Sequence, residues 1–281
     1  MKLGVNLWVW SSPFDLSRDR SLLTHVRMLG AEVVEVALED DALFEASALR
    51  RALDEEGLAC SAVGLFGPAR DLSVADLATR QRGVAYARDC LDRCAESGIA
   101  LFTGAVLGVG GREVLTKTDR QQRYERAAEH LRELGAYAIE RNVRFVVEVL
   151  NRYETNLITT AAEARKLIDL VAHPGVGIHL DTFHMGIEEA DMHAAIRQAG
   201  DRLWHVHASE SHRGQPGTGL TRWDQVRAGL RELNYDGWVV IESFNPAGRI
   251  APLACLWRPL APSPDTLARD GLDFLKLALG G

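Results

Sequence analysis

Eight short apolar, β-branched runs recur along the chain, separated by segments of helical periodicity, and this alternation restricts the possible fold more than any other feature. The runs cover residues 3–9, 33–37, 59–66, 100–105, 144–149, 176–180, 203–207 and 238–242. Most lack strict apolar–polar alternation, which is how parallel strands covered on both faces read. Between them, residues 119–141 carry the clearest helical pattern. Tyr124, Ala127, Ala128, Leu131, Leu134 and Ala138 share one face, and Asp119 with Gln122 has capping-box spacing. Thr159 or Thr160 can cap a helix over 161–171, with Glu163 in its first turn. Residues 71–97 read as one long helix or two short ones, and 223–233 and 265–279 complete the set. A βα unit repeated eight times in 281 residues predicts an α/β chain folded as a single-domain (β/α)8 TIM barrel over 1–281. A doubly wound open sheet is the alternative. No GxGxxG opens a helix after the first run, which disfavours a dinucleotide site.

Composition narrows the partners. The chain carries 32 Lys and Arg against 39 Asp and Glu, a formal charge of −7. Nucleic-acid binders draw affinity from basic patches, so an acidic chain disfavours DNA or RNA, and a membrane surface likewise. No apolar run reaches the ~18 residues of a membrane span. The N-terminus reads as a first strand and not as a signal peptide. Cys60, Cys90, Cys94 and Cys255 form no CxxC pair, and Cys90 and Cys94 read as small core side chains of a helix. This usage fits a reducing cytoplasm.

In barrel enzymes the chemistry sits where strands end at their C-termini. Here run five ends at Glu148, run six at Asp181, run seven at His207 and run eight at Glu242. Alone, each would be a solvated or helix-capping group. Together on adjacent strands, three carboxylates repel and are costly to bury unpaired. A shared divalent cation resolves this. Three carboxylates and one imidazole suit Mn²⁺, Mg²⁺ or Co²⁺ better than a thiolate-preferring metal. Such a site suits proton abstraction beside a carbonyl, with the metal stabilising an enediolate. Glu148 and Glu242 can flank a substrate, one removing a carbon-bound proton and the other returning it. Return on the opposite face is epimerisation; transfer between adjacent carbons is aldose–ketose isomerisation. The residue set fits both.

At these residues the sequence resembles the D-tagatose 3-epimerase family of ketose 3-epimerases, within the xylose-isomerase-like barrels. The matching motifs are Glu148-Val149-Leu150-Asn151-Arg152-Tyr153-Glu154-Thr155-Asn156 and Leu180-Asp181-Thr182-Phe183-His184-Met185, continuing through Gly186-Ile187-Glu188-Glu189. His205-Val206-His207, Arg213, Pro216-Gly217, Tyr235-Asp236-Gly237, Ile241-Glu242-Ser243-Phe244 and Leu256-Trp257-Arg258 follow. The resemblance is strong over the C-terminal half and rests on fold pattern elsewhere. It implies that Glu148, Asp181, His207 and Glu242 bind a divalent metal, typically Mn²⁺ with Co²⁺ or Mg²⁺ as alternatives. It also implies that Glu148 and Glu242 are the acid–base pair at C3 of a free ketose of the tagatose, fructose, psicose or ribulose type. Glu154, His184 and Arg213 would hold the O1–O3 end of the sugar. A cytoplasmic homodimer or homotetramer is the expected state.

There are departures from the family pattern. Residues 104–111 are Gly-rich where many members carry an aromatic side chain, and read as a flexible loop, since no Lys follows to make a phosphate cradle. The segment Pro216-Gly217-Thr218-Gly219 lacks a Glu often found between those glycines. Trp8, Trp10, Phe66 and Trp257 are candidates for packing on the far end of the sugar. Two other isomerases on this barrel, an aldose–ketose type and a hydroxypyruvate type, are the alternatives. An apurinic-site endonuclease needs several zinc ions and a phosphate-tracking surface, which nine His and an acidic charge do not favour. A non-catalytic relative would have lost one of the two glutamates, and both are present.

Overall fold

The computed structural model describes residues 1–280, and the eight runs close into a parallel barrel in chain order. The strands are β1 (Lys2–Asn6), β2 (Val33–Leu38), β3 (Ala59–Gly64), β4 (Leu101–Gly104), β5 (Arg144–Glu148), β6 (Val176–Asp181), β7 (Leu203–Ala208) and β8 (Trp238–Ile241). The first run ends as a strand at Asn6 because the Asn6 side chain accepts from the Trp8 amide and opens a 3-10 turn, Leu7–Val9. Outside lie α1 (Leu16–Met28), α2 (Ala46–Glu56), α3 (Leu77–Ser97), α4 (Lys117–Glu140), α5 (Ala161–Val171), α6 (Thr182–Glu188), α7 (Met192–Ala199), α8 (Trp223–Glu232) and α9 (Pro264–Leu279).

The helix caps explain several boundaries. In α4 the capping box is Thr116 with Asp119, not Asp119 with Gln122. The Thr116 hydroxyl accepts from the Asp119 amide and the Asp119 carboxylate accepts from the Thr116 amide. Residues 71–97 hold one helix, α3, capped by Asp76. Thr160 caps α5. No helix among the described residues is long and apolar enough to cross a membrane.

The main core lies between strands and helices, where Phe102 and Phe145 stack at 5.5 Å and Leu131, Leu134 and Leu167 are fully buried. Strand alternation turns the other face of each strand into the barrel. Register sets Glu148 beside His179 and Asp181 beside His207, so β6 runs two residues past the end of β5, the stagger that tilted barrel strands require. Helix α4 approaches β6 through two glycines, and a Cβ on Gly175 would collide with the Gly135 carbonyl. Gly175→Ala is therefore expected to destabilise the protein by ~1–3 kcal/mol. Calorimetry should show the melting temperature fall by roughly 2–4 °C per kcal/mol.

Candidate metal centre and active site

The C-terminal mouth of the barrel opens into a cavity of about 510 Å³. Its polar lining is Glu148, Glu154, His184, Arg213 and Glu242, and its apolar lining includes Val63, Leu65, Phe66 and Ile250. Beneath the polar lining, Asp181 and His207 are fully buried. Ligand atoms of Glu148, Asp181 and His207 all lie within 4.8 Å of one another. Glu242, one residue beyond β8, stands beside this set with Oε1 at 3.3 Å from His207 Nδ1.

Each group is held from a different direction. Asp181 caps α6 by accepting from the Phe183 amide at 2.7 Å, and its other oxygen accepts from Ser209 Oγ at 3.1 Å and Arg213 Nη1 at 2.7 Å. The same Arg213 nitrogen donates to Glu242 Oε2. His207 meets Glu35 of β2 through Nε2 at 2.7 Å, and its buried Nδ1 makes no hydrogen bond. Burial works against the His207 cation, but Glu35 and Glu242 outweigh it and raise the imidazole well above its usual range. Burial also opposes ionisation of Glu242, yet His207 and Arg213 hold its carboxyl down at about 2. For Glu148, burial and the Glu242 charge act together and push the carboxyl well above the carboxylate range. A site that suppresses ionisation of one of its own carboxylates has room for more positive charge. That, with an unbonded imidazole nitrogen and clustered hard oxygen donors, fits a divalent cation.

His184 and Arg213 form a donor pair. The Asn151 amide donates to His184 Nδ1 at 3.1 Å, and the Asn151 side chain approaches the same nitrogen at 2.7 Å. A backbone N–H can only donate, so Nδ1 is the acceptor and Nε2 carries the proton. Arg213 Nη2 lies 3.3 Å from that Nε2, so two donors sit side by side. Burial lowers His184 to about 3, which keeps the ring neutral. The Asn151 side chain also donates to Glu154 at 3.0 Å, and burial raises the Glu154 carboxyl.

Other expectations divide. Trp8 and Phe66 line the cavity. Trp10 does not: its indole donates to Asp265 at 2.7 Å, on the flank of the barrel. Trp257 is 75% exposed and lies off the cavity wall. The Gly-rich loop after β4 is tied down, with the Gly108 amide on Asp71 at 3.0 Å and the Gly110 amide on the Glu154 carbonyl at 2.8 Å. Two carboxylates were not singled out from the sequence. Glu35 lies inside an apolar strand, where a lone charge was its only signal. Glu210 opens the loop after β7 and had none, since an acid at a loop start is ordinary.

A scan against family models matches residues 23–278 to the xylose isomerase-like TIM barrel. The ketose 3-epimerase of Arthrobacter globiformis is 33% identical over 98% of this chain and 96% of its own. A D-psicose 3-epimerase of Enterocloster bolteae is 34% identical over 100% of this chain and 96% of its own. Among solved structures, a D-psicose 3-epimerase crystallised in the presence of D-fructose superposes with a TM-score of 0.90 at 30% identity, covering 100% of both chains. An L-ribulose 3-epimerase reaches a TM-score of 0.93 at 28% identity, covering 99% of this chain and 94% of its own.

Glu210 fixes the loop that carries Arg213. Its carboxylate accepts from the amides of Ser211, Gly217 and Thr221 at 2.9, 2.8 and 2.9 Å and from the Trp223 indole at 3.1 Å. Burial opposes its ionisation, but these bonds prevail and lower it to about 2. A depressed folded-state value means stability that is fully present above the unfolded value of ~4.3 and lost as pH falls toward about 2. Glu210→Ala should destabilise the protein by ~1–3 kcal/mol at pH 7. In urea titrations it should also flatten the loss of stability expected of the parent between roughly pH 4 and pH 2, the window set by those two values.

Proposed function

The chain belongs to the xylose isomerase-like TIM barrel family, matched over nearly its whole length by ketose 3-epimerases, and from that premise we propose that it is a metal-dependent isomerase that inverts C3 of free ketoses. One observation carries the reading: Glu148, Asp181 and His207 converge within 4.8 Å, with Glu242 beside them, at the polar lining of a cavity large enough for a six-carbon sugar. These four residues would hold the cation, and Mn²⁺ suits their oxygen-rich set with Co²⁺ or Mg²⁺ as substitutes. When bound, the cation supplies positive charge that offsets the negative charge developing on the ketose C2 oxygen.

The chain's own groups do the proton work. One of Glu148 and Glu242 removes the C3 proton, and the electron pair moves into a C2–C3 enediolate. The other glutamate then gives a proton to C3 from the opposite face, so configuration inverts and no oxidant is consumed. The paired donors His184 Nε2–H and Arg213 Nη2 face the oxygens at the C1–C3 end, where they stabilise developing charge. Glu154 accepts a hydroxyl proton there. Trp8, Phe66 and the apolar lining pack against the rest of the sugar.

Two finer features follow the same reading. Tyr153, Leu253 and Trp257 are exposed, which suits contact with a second copy in a homodimer or homotetramer. Sedimentation velocity tests this. Four free cysteines suit a reducing cytoplasm.

Incubation with Mn²⁺ and D-fructose, D-tagatose, D-psicose or L-ribulose in D₂O should give the C3 epimer with deuterium at C3. Label confined to C1 or C2 would instead identify an aldose–ketose or hydroxypyruvate-type isomerase. Glu148→Gln and Glu242→Gln should each lower kcat by ~10²–10⁴-fold. Exhaustive chelation should abolish turnover and Mn²⁺ should restore it; turnover that survives chelation would overturn the metal assignment.

A further inference from the structure

Below the cavity floor the barrel interior is polar where branched apolar side chains are usual. Glu35 sits there, fully buried between Val34 and Val36 of β2. A carboxylate so placed is costly unless every lone pair is used. Its surroundings supply four donors. Oε1 lies 2.8 Å from Asn6 Nδ2 and 2.7 Å from His207 Nε2. Oε2 lies 2.8 Å from Ser61 Oγ and 2.9 Å from His205 Nε2. With both oxygens engaged twice, no carboxyl proton fits, and an ionised carboxylate only accepts. Both imidazoles must therefore carry a proton on Nε2.

For His207 this decides which nitrogen is free for a metal. Nδ1 is left facing the carboxylates, 3.3 Å from Glu242 and 4.0 Å from Asp181, without a hydrogen bond of its own. We propose that Glu35 is a positioning residue of the cation site: by accepting the His207 Nε2–H it fixes the ring and its tautomer so that the Nδ1 lone pair points at the metal. The proposal rests on His207 being a ligand, as read above. A glutamine at 35 offers one oxygen and an NH₂ that needs an acceptor. At least one of the two imidazoles must then give up its Nε2 proton or its bond. His205 touches the same carboxylate but stands outside the ligand set, which makes it the control.

The test measures Mn²⁺ affinity by competition with a fluorescent chelator, beside circular dichroism and melting of the metal-free protein. Glu35→Gln should bind Mn²⁺ about 10- to 100-fold more weakly while remaining folded. His205→Gln, which leaves the Glu35–His207 bond in place, should stay within threefold of the parent. An affinity within threefold in Glu35→Gln overturns the proposal, as does an equal loss in both variants, which would mark general damage to the barrel interior. If Glu35→Gln does not fold, the parent protein still decides. With ¹⁵N-labelled histidine and saturating Mg²⁺, His207 should show a protonated Nε2, and an unprotonated Nε2 overturns the proposal. His207→Gln separates the two layers of argument: unchanged Mn²⁺ affinity there removes the ligand assignment itself, and the proposal with it.

Discussion

Like-charge repulsion at the mouth of the barrel is the constraint to which most of the surrounding structure responds. Glu148 at the end of β5, Asp181 at the end of β6 and Glu242 just past β8 converge around His207 of β7. Two unit charges 4 Å apart at an effective dielectric of about 20 interact by ~4 kcal/mol, a large share of a domain's net stability. The chain meets this in three ways at once. Arg213 bridges Asp181 and Glu242, His207 lies against Glu242 from below, and the Glu148 carboxyl is pushed toward its neutral form. That third response signals incomplete compensation. The pairs that are closed are structural, whereas the group left without a counter-charge marks where external charge is wanted.

The parts of this arrangement that sequence exposed are those with a local signature. A buried parallel strand is a short apolar run, so all eight strands were visible, and the acid or imidazole ending each of the last four stood out against that run. The flanking helices were less visible. Helix α1 spends Asp15, Arg18, Asp19 and Arg20 on polar contacts, so few apolar positions remain to mark its period. Helix α6 is a short continuation of the motif that carries Asp181 and His184, with no independent signal. Trp10 shows the converse problem, because an aromatic near a strand end can face the cavity or the flank, and only its bond to Asp265 decides. The Gly-rich loop looked free from its composition, but its restraint comes from Asp71 and Glu154, which lie far away in sequence.

Glu35 and Glu210 are hard to read from sequence for a shared reason. Each is a carboxylate whose role is to collect donors that converge on it only once the chain has folded. Glu35 gathers β1, β3 and β7 around one point inside the barrel, and Glu210 gathers backbone amides over the length of its loop. A single residue with many partners at irregular separations leaves no spacing pattern in the chain. What it leaves is a local misfit, such as a charge within an apolar strand.

Arg213 shows why such support is needed. Its backbone has φ of 62°, a left-handed conformation that costs a non-glycine residue of order 1 kcal/mol or more. The conformation persists because the chain is held on both sides of it: the Arg213 amide donates to the Glu210 carbonyl at 2.8 Å, and its carbonyl accepts from Ser243 Oγ at 2.6 Å. The guanidinium is thereby placed over the Phe183 ring at 3.9 Å, with one nitrogen on the two carboxylates and the other beside His184. A loosely held loop would let a long side chain sample many positions, and a donor with the proposed role of meeting developing charge gains from being immobile before the reaction. The strain at one residue is thus offset by hydrogen bonds that begin at Glu210, so the rigidity of the active-site rim is set a turn away from the chemistry.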